Sequence, residues 1–493
     1  MKKFIYTGLL ALSLASCNNY LDVNDNPNYL TEDKLNAGLI LPGVELAYAN
    51  NYGYLYRVIG GYLAQYYAQY PGTSNYMNLS QWQVTASFTS FYSYGDIWHN
   101  VLSSNQTALI KAEEAEDWGS YLACAVMRAA TFQMLVDAYG EQPYSEALNN
   151  DITYPNYDDG QTIYEGLVSE LDYALSKVSD SNTVCTNLLY YNSSNASEWI
   201  KLANSLKLRI LMRMSDVVDV KAQLAALVAE DNFITSDAAW SACYSNQDGQ
   251  ANPFFQGDNF TTYGGSQKNV DLNVALCETM TAVNDARLGQ WFEARADGSF
   301  FGGVSGVNYT TSSYGTADFC RPIMKYNSPV YFMTVSDVKF FLAEYEARYG
   351  SMSSAQEYYE GAIEASFNTA GVDGAASVYS SNAYKWDSAN WKKLIGIQKW
   401  ISEGGTNPFE GWCEARRLGY PQFGNVDGAQ IYNEGDQQNS MYAPGTFYRP
   451  SQCYAEVGNN ELVQRWPYAE ASTARNVNAP ATKPESVPVF WAK

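Results

Sequence analysis

The ionisable residues of this chain offer few combinations that could catalyse a reaction. Its 493 residues include one histidine, His99, so a zinc site with several histidines is excluded and a Ser-His-Asp or Cys-His mechanism has a single candidate base. No nucleophile-elbow, H-E-x-x-H or phosphate-loop string is present. A glycosidase needs two carboxylates about 5 to 9.5 Å apart. Asp158 with Asp159 or Glu344 with Glu346 could arise by chance among 52 acidic residues, so a glycoside hydrolase remains the weaker alternative.

The cysteines do not suggest a metal or redox centre. Apart from Cys17, the chain has seven cysteines, and none form a C-x-x-C pair. Cys124 and Cys277 lie in apolar helical patterns, where a free cysteine behaves as a small hydrophobic residue. An Asp-rich stretch at 22–26 lacks the glycine and glutamate of a calcium loop. The sequence therefore predicts no cofactor and no metal site.

Aromatic and amide residues on long polar stretches make a better candidate for chemistry. Sugar rings present an apolar C–H face to an aromatic ring and a rim of hydroxyl groups to amides and carboxylates, so such stretches favour a site for an oligosaccharide. The alternative is that each aromatic residue anchors its loop to the helical part. The candidate ligand-binding residues are Tyr76, Asn78, Trp82, Asn246, Asp258, Tyr263, Tyr309 and Tyr314.

Net charge excludes one class of partner. The chain carries 30 basic and 52 acidic residues, a net charge of −22 at pH 7. Such a surface repels phosphate backbones and anionic lipid headgroups. Nucleic acid is therefore not expected as a partner, and contact with a membrane requires another means of attachment.

The first residues have the pattern of an export signal. Lys2 and Lys3 precede an apolar run that ends at Leu14-Ala15-Ser16-Cys17, which resembles a bacterial lipobox. The run is shorter than the ~18 residues that a membrane span needs. We therefore predict a signal peptide at 1–16, a lipid on Cys17 that holds the protein to a membrane, and a polar tether over 17–30.

The elements that must position these residues are mainly helices. The stretch 195–214 illustrates the pattern, because Trp199, Leu202, Ala203, Leu206 and Ile210 recur at helical spacing and Asn195 with Glu198 is typical of a capping box. Residues 339–370 resemble a tetratricopeptide helix pair. The sequence predicts an all-α fold in which such helix pairs form a scaffold that carries a loop-rich, ligand-binding half. We expect one body over 31–493, with helical scaffold at 32–230 and 334–420 and loop-rich parts at 240–333 and 421–493.

Several stretches in one order resemble the SusD/RagB family of nutrient-binding outer-membrane lipoproteins, in its SusD-like branch. The likeness extends over nearly the whole chain. The stretches that carry it are Cys17, Asp22–Asn28, Asp137–Ala147, Pro155–Asp159, Trp199–Arg213, Ile397–Trp400, Glu414–Pro421 and Arg465–Tyr468, together with Glu470 and Asn476. The residue types in these stretches indicate a structural role. Gly140 and Pro143 are typical of a helix end. The spacing of Arg416 and Arg417 from Glu410 and Glu414 is typical of ion pairs on a helix.

The resemblance implies a function as well as a fold. Members of this family are anchored by lipid to the outer membrane, exposed at the cell surface, and capture glycans or in some members peptides. They deliver this nutrient to a SusC-like TonB-dependent transporter. The resemblance therefore implies an oligosaccharide-binding lipoprotein with such a transporter as partner. A peptide-binding lipoprotein of the same type is the alternative within the family, and a rigid scaffold protein is a further one.

Overall fold

A computed structural model describes residues 34–191, 193–259, 268–308, 319–432 and 442–492. The predicted signal peptide, Cys17 and the tether lie outside the described residues, as do Tyr263, Tyr309 and Tyr314. The described part of the chain contains no helix with the length and apolar character that a membrane crossing requires.

Helices dominate the structure, and the prediction of an all-α fold is confirmed. The first half contains α1 Ala37–Asn51, α2 Arg57–Leu63, α3 Met77–Ser80, α4 Ala86–Thr89, α5 Ser104–Glu114, α6 Trp118–Tyr139, α7 Gly160–Lys177, α8 Ala196–Met214 and α9 Lys221–Glu230. The second half contains α10 Val274–Thr281, α11 Leu288–Trp291, α12 Val335–Tyr349, α13 Met352–Ala370, α14 Ala375–Tyr379, α15 Trp391–Gly405, α16 Pro408–Leu418, α17 Gly428–Ile431 and α18 Glu470–Thr473. Within the described ranges, π-helical turns lie at Tyr52–Tyr56, Ser90–Tyr94, Ile97–Ser103 and Phe255–Asn259, and a 3₁₀ turn lies at Ser388–Asn390.

Short strands pair segments that are far apart in the sequence. The strands are β1 Tyr67–Gln69, β2 Gln142–Pro143, β3 Tyr157–Asp158, β4 Ala238–Trp240, β5 Val270–Leu272, β6 Val330–Met333, β7 Gln422–Phe423 and β8 Thr446–Phe447. In the described residues they form two-stranded sheets, with β1–β5, β2–β3 and β4–β6 antiparallel and β7–β8 parallel. Each sheet is too small to make a layer of its own and joins a loop to the helical body.

The helices pack around one hydrophobic core. Helix α12 packs against its sequence neighbour α13 and also against α15 and α8, while α6 lies between α5, α7 and α8. Nearly every residue of α6 is buried, which explains why its sequence shows no polar face. Buried residues of one continuous cluster extend from Ala37 to Ala492.

The sequence of α8 shows why these segments fold as helices. The predicted apolar stripe, which includes Trp199, Leu206 and Ile210, is fully buried. Asn195 is the N-cap, and its side chain accepts a hydrogen bond from the backbone N–H of Ser197 at 3.0 Å. This bond satisfies one of the donors that a helix N-terminus leaves free.

A buried group of charged residues joins α6, α8, α12 and α16. We call this group the charged centre, and its members are Asp137, Arg213, Glu344, Glu410, Glu414 and Arg417. Arg213 is 0% exposed and pairs with Asp137, with Glu410, and with Glu414 at 2.9 Å. Arg417 pairs with Glu414 at 2.7 Å and with Glu344.

Electrostatics within the charged centre keep its glutamates ionised. Burial alone would raise the pKa of Glu414, but Arg417, Lys399 and Arg213 outweigh that effect and hold this pKa well below its ordinary value. The pKa of Glu344 is also lowered, because Arg417 and Arg348 outweigh the effect of its burial. A buried charge without such partners would be strongly destabilising. The charged centre therefore fixes how four helices sit against one another.

Arg416 departs from the sequence-based prediction of a carboxylate partner. Its guanidinium donates to the backbone carbonyl oxygens of Asp137, at 2.9 Å, and Gln464. It also lies over the rings of Trp412 and Trp491, at 3.4 and 4.6 Å from their centroids. The indole N–H of Trp491 donates to Asp137 Oδ1 at 2.8 Å. The C-terminal segment is thus part of the structure around the charged centre.

Candidate functional site

The sheet β1–β5 positions a cluster of polar and aromatic residues on the helical body. Tyr67 pairs with Leu272 and Gln69 with Val270, and the backbone N–H of Tyr70 donates to the carbonyl of Asn269 at 3.1 Å. The loop that follows β1 is therefore held beside the segment that precedes β5. We call the residues 70–81, 255–259, 268–271 and 321 the polar loop cluster.

Side-chain hydrogen bonds connect the parts of the polar loop cluster. Asn269 Oδ1 accepts from Asn75 Nδ2 at 3.1 Å and from Thr73 Oγ1 at 3.3 Å. The backbone N–H of Asn269 donates to Asp258 Oδ1 at 2.9 Å, and Arg321 pairs with Asp258 Oδ2 at 2.6 Å. Three segments that are distant in the sequence thus form one connected network.

Among the described residues, Tyr76 is a candidate aromatic residue that lies in the polar loop cluster and is partly accessible. It is half-buried, and its hydroxyl is hydrogen-bonded to the hydroxyl of Tyr54 at 2.6 Å. Its ring meets Tyr62 and Phe88 edge-on, with centroids 6.0 and 6.2 Å apart. These contacts fix the ring in one orientation while leaving part of it accessible to a ligand.

Trp82 does not belong to the accessible surface. It is 0% exposed, its indole N–H donates to the carbonyl of Tyr62 at 3.2 Å, and its ring packs edge-on against Phe423. The prediction that Trp82 contacts ligand is therefore wrong, because the loop uses this residue to attach itself to the core. A polar loop sequence does not distinguish an anchoring tryptophan from an exposed one.

Asp258 also has a different role from the one predicted. It is 1% exposed, and both its oxygens are occupied by Asn269 and Arg321. Burial raises its pKa to about 6, although Arg321 opposes that rise. The prediction that Asp258 contacts ligand hydroxyls directly is corrected: in the described structure this carboxylate positions Arg321 and Asn269.

The polar loop cluster contains a second buried acid, Asp271, on strand β5. Asp271 is 0% exposed, and neither of its oxygens has a hydrogen-bond partner among the described residues. Burial raises its pKa well above the ordinary value, and Arg321 opposes that rise. The described residues contain no group of three or more His, Cys, Asp or Glu that could hold a metal ion.

Of the amide candidates, the structure places one in the cluster and one outside it. Asn78 lies on α3 with its side chain exposed. Asn246 is also exposed but lies in the turn closed by the hydrogen bonds between Ser245 and Gln250. Among the described residues no contact joins Asn246 to the cluster.

Two residues, Lys268 and Gly306, lie in or near the polar loop cluster. Each is close in sequence to a segment outside the described residues, 260–267 or 309–318. Lys268 follows one segment and lies 6.0 Å from the ring centroid of Tyr70. Gly306 lies three positions before the other, and its N–H donates to the hydroxyl oxygen of Ser80 of α3 at 2.8 Å. Tyr263, Tyr309 and Tyr314 themselves stay predictions.

Two contributors to the cluster were not predicted from the sequence. Asn269 binds Asn75 across 194 positions, and Arg321 binds Asp258 across 63 positions. Neither residue stands in a motif or at a regular spacing. Their role follows from strand pairing that brings these positions together.

The acid pairs considered for hydrolysis have structural partners. Asp158 accepts from the backbone N–H of Ser145 at 2.8 Å, and Asp159 caps α7 through the N–H of Thr162 at 2.9 Å. Glu344 belongs to the charged centre, and Glu346 accepts from the N–H of Ser351 at 3.0 Å. Each of these carboxylates therefore has an evident role in stabilising a turn or a helix.

Comparison with known proteins agrees with this fold. A family model described as SusD-like, starch-binding and associating with outer membrane, matches residues 27–442. The match covers most of the chain, so the chain belongs to the SusD-like family. Proteins of this family are binding proteins rather than enzymes and are associated with the outer membrane.

Solved structures show the same architecture. A SusD homologue from Bacteroides uniformis has a TM-score of 0.75 at 22% identity, and the match covers 93% of this chain and 99% of that one. A chitin-binding protein has a TM-score of 0.72 at 20% identity, with 92% and 99% covered. A SusD-like protein from Bacteroides thetaiotaomicron has a TM-score of 0.71 at 19% identity, with 92% and 98% covered. A search of curated proteins found no match to the chain.

Proposed function

We propose that this protein is a cell-surface lipoprotein that binds an oligosaccharide at the polar loop cluster and delivers it to a SusC-like TonB-dependent transporter. The observation that carries the proposal is the cluster itself, a partly exposed Tyr76 ring beside amides held by a hydrogen-bond network. An aromatic face packs on the C–H face of a sugar, and amides bind its hydroxyl groups. The family description as starch-binding and the neighbour described as chitin-binding support the same class of ligand.

A peptide is the alternative ligand. Amide side chains also bind backbone N–H and C=O groups, and an aromatic ring also packs on apolar side chains. A panel of neutral glycans and a panel of peptides, each titrated by calorimetry, separates the two proposals. Binding confined to peptides would replace the oligosaccharide proposal. New reducing ends after incubation with a glycan would favour the hydrolase alternative, so the same samples should be assayed for cleavage.

For the glycan that binds best, we expect Tyr76→Ala and Asn78→Ala each to weaken binding several-fold. An aromatic contact contributes about 1 kcal/mol beyond area burial, and a lost hydrogen bond has a similar effect. Isothermal titration calorimetry gives the dissociation constants, and a melting curve shows that each variant is folded.

Two further variants sharpen this test. Asn382→Ala changes an exposed asparagine outside the cluster and should bind as the wild type does. Asn246→Ala shows whether the site extends to the separate turn that carries this residue. Wild-type affinity in both Tyr76→Ala and Asn78→Ala would remove the polar loop cluster from the ligand-binding site.

The transporter partner is proposed from family membership. A tagged form of the protein, extracted from native membranes in mild detergent, should co-purify with an outer-membrane barrel of the SusC-like kind. The control is the same extraction from cells that lack the barrel. Isolation of the protein alone from membranes that contain the barrel would contradict the proposal.

A further inference from the structure

A pocket of about 450 Å³ lies outside the polar loop cluster and shares no lining residue with it. Its walls come from the turn Ile97–Ser103 with the residues before it, from β2 and the loop that follows it, and from α18 with the residues that follow it. Its size falls in the range of small-molecule sites. Trp98 forms part of the apolar wall together with Pro143 and Pro155.

Hydrogen bonds hold the three walls of the pocket together in advance of any ligand. The hydroxyl of Tyr94 donates to Gln142 Oε1 at 3.0 Å and lies 3.3 Å from the hydroxyl oxygen of Ser472. Asn476 Nδ2 donates to the carbonyl of Pro155 at 2.8 Å. Trp98 meets Phe132 edge-on, with ring centroids 6.0 Å apart. A pre-formed site binds with less loss of conformational entropy than one that must be ordered.

The charge of this pocket is opposite to that of the chain. Acidic residues outnumber basic ones by 52 to 30 in the whole sequence, yet none of the described residues that line the pocket is Asp or Glu. Its basic lining residues are Arg475 and His99, the one histidine of the chain. Arg475 is exposed, and the ion pairs of the described residues do not include it.

We propose that this pocket binds a uronic-acid residue of an acidic glycan. The guanidinium of Arg475 would bind the sugar carboxylate in a charge-assisted pair, for which its planar geometry is suited. The apolar wall at Trp98 would receive the C–H face of the ring, while His99 and Asn476 offer hydrogen bonds to hydroxyl groups. The choice of a sugar rests on the proposed function, whereas the choice of an anion rests on the lining of the pocket.

The test compares methyl β-D-glucuronide with methyl β-D-glucoside, two ligands that differ in the carboxylate. Ligand-observed NMR titration should show that the wild type binds the glucuronide at least tenfold more tightly. Arg475→Gln should abolish this preference, while Lys325→Gln, which removes one exposed positive charge elsewhere, should retain it. Equal affinity for the two ligands, or a preference that survives Arg475→Gln, would overturn the inference.

Two more measurements separate this inference from the proposed function and from a less specific anion site. Asn382→Ala, which changes an exposed asparagine outside both sites, should leave glucuronide binding unchanged. If neutral glycans fail to bind at the polar loop cluster while glucuronide binding still depends on Arg475, the proposed site fails and this inference stands. Benzoate has a carboxylate but no hydroxyl groups, so binding of benzoate as tight as that of the glucuronide would overturn the assignment to a sugar.

Discussion

Replacing Arg213 with methionine should lower the free energy of unfolding by about 3–5 kcal/mol. The substitution keeps much of the side-chain volume but removes the positive charge that faces Asp137, Glu410 and Glu414 inside the protein. Buried carboxylates that have lost their positively charged partner destabilise the folded state. This destabilisation, rather than the lost attraction within the ion pair, determines the decrease in the free energy of unfolding. Urea denaturation followed by circular dichroism gives the free energy.

The matched control for this prediction is Lys207→Met. Lys207 lies on the same helix, α8, and pairs with Asp172, whose side chain is 51% exposed. A solvent-exposed pair contributes about 1 kcal/mol or less, so this variant should be nearly as stable as the wild type. If the two variants lost similar amounts of unfolding free energy, burial would not determine how much the charged centre stabilises the protein.

Replacing Cys17 with alanine should abolish attachment to the membrane. The expectation comes from the sequence Leu14-Ala15-Ser16-Cys17, which resembles a lipobox. With a net charge of −22, the protein is not attracted to anionic lipid surfaces, so acyl chains must supply the attachment. The variant should appear in the soluble fraction, or remain unprocessed, and should not incorporate a radioactive fatty acid.

The control for the lipid prediction is another cysteine. Cys453→Ala changes a half-buried thiol in the folded body and should leave fatty-acid incorporation and fractionation as in the wild type. Retention of the label by Cys17→Ala would remove Cys17 as the lipid attachment site.

Helices could be predicted from the sequence because their signals are local. The apolar stripe of α8 and the N-cap at Asn195 lie within one segment and were found where expected. Glu198 does not complete the predicted capping box, because its carboxylate accepts from the hydroxyl of Ser193. The sequence also predicts a helix over 53–69, but helix α2 ends at Leu63 and β1 begins at Tyr67. Gln65 there has a φ of 55°, and the following residues pair with β5. A distant partner strand therefore overrides the local pattern.

The candidate site could be predicted only in part, because its geometry depends on long-range contacts. Tyr76 and Asn78 were predicted and lie in the cluster, whereas Trp82 in the same stretch is buried in the core. Asp258 was predicted as a ligand contact and instead holds Arg321. Composition identifies which residues can bind a sugar, but it does not show which of them fold inward.

The contact between Trp491 and Asp137 sets an order for the folding of the chain. The two residues are 354 positions apart, and synthesis proceeds at about 5–20 residues per second. Asp137 therefore emerges from the ribosome roughly 20–70 s before its tryptophan partner. Contacts of such long range also slow folding, because a large loop must close before they form. The structure around Asp137 therefore cannot be completed until the C-terminal segment that carries Trp491 has been synthesised.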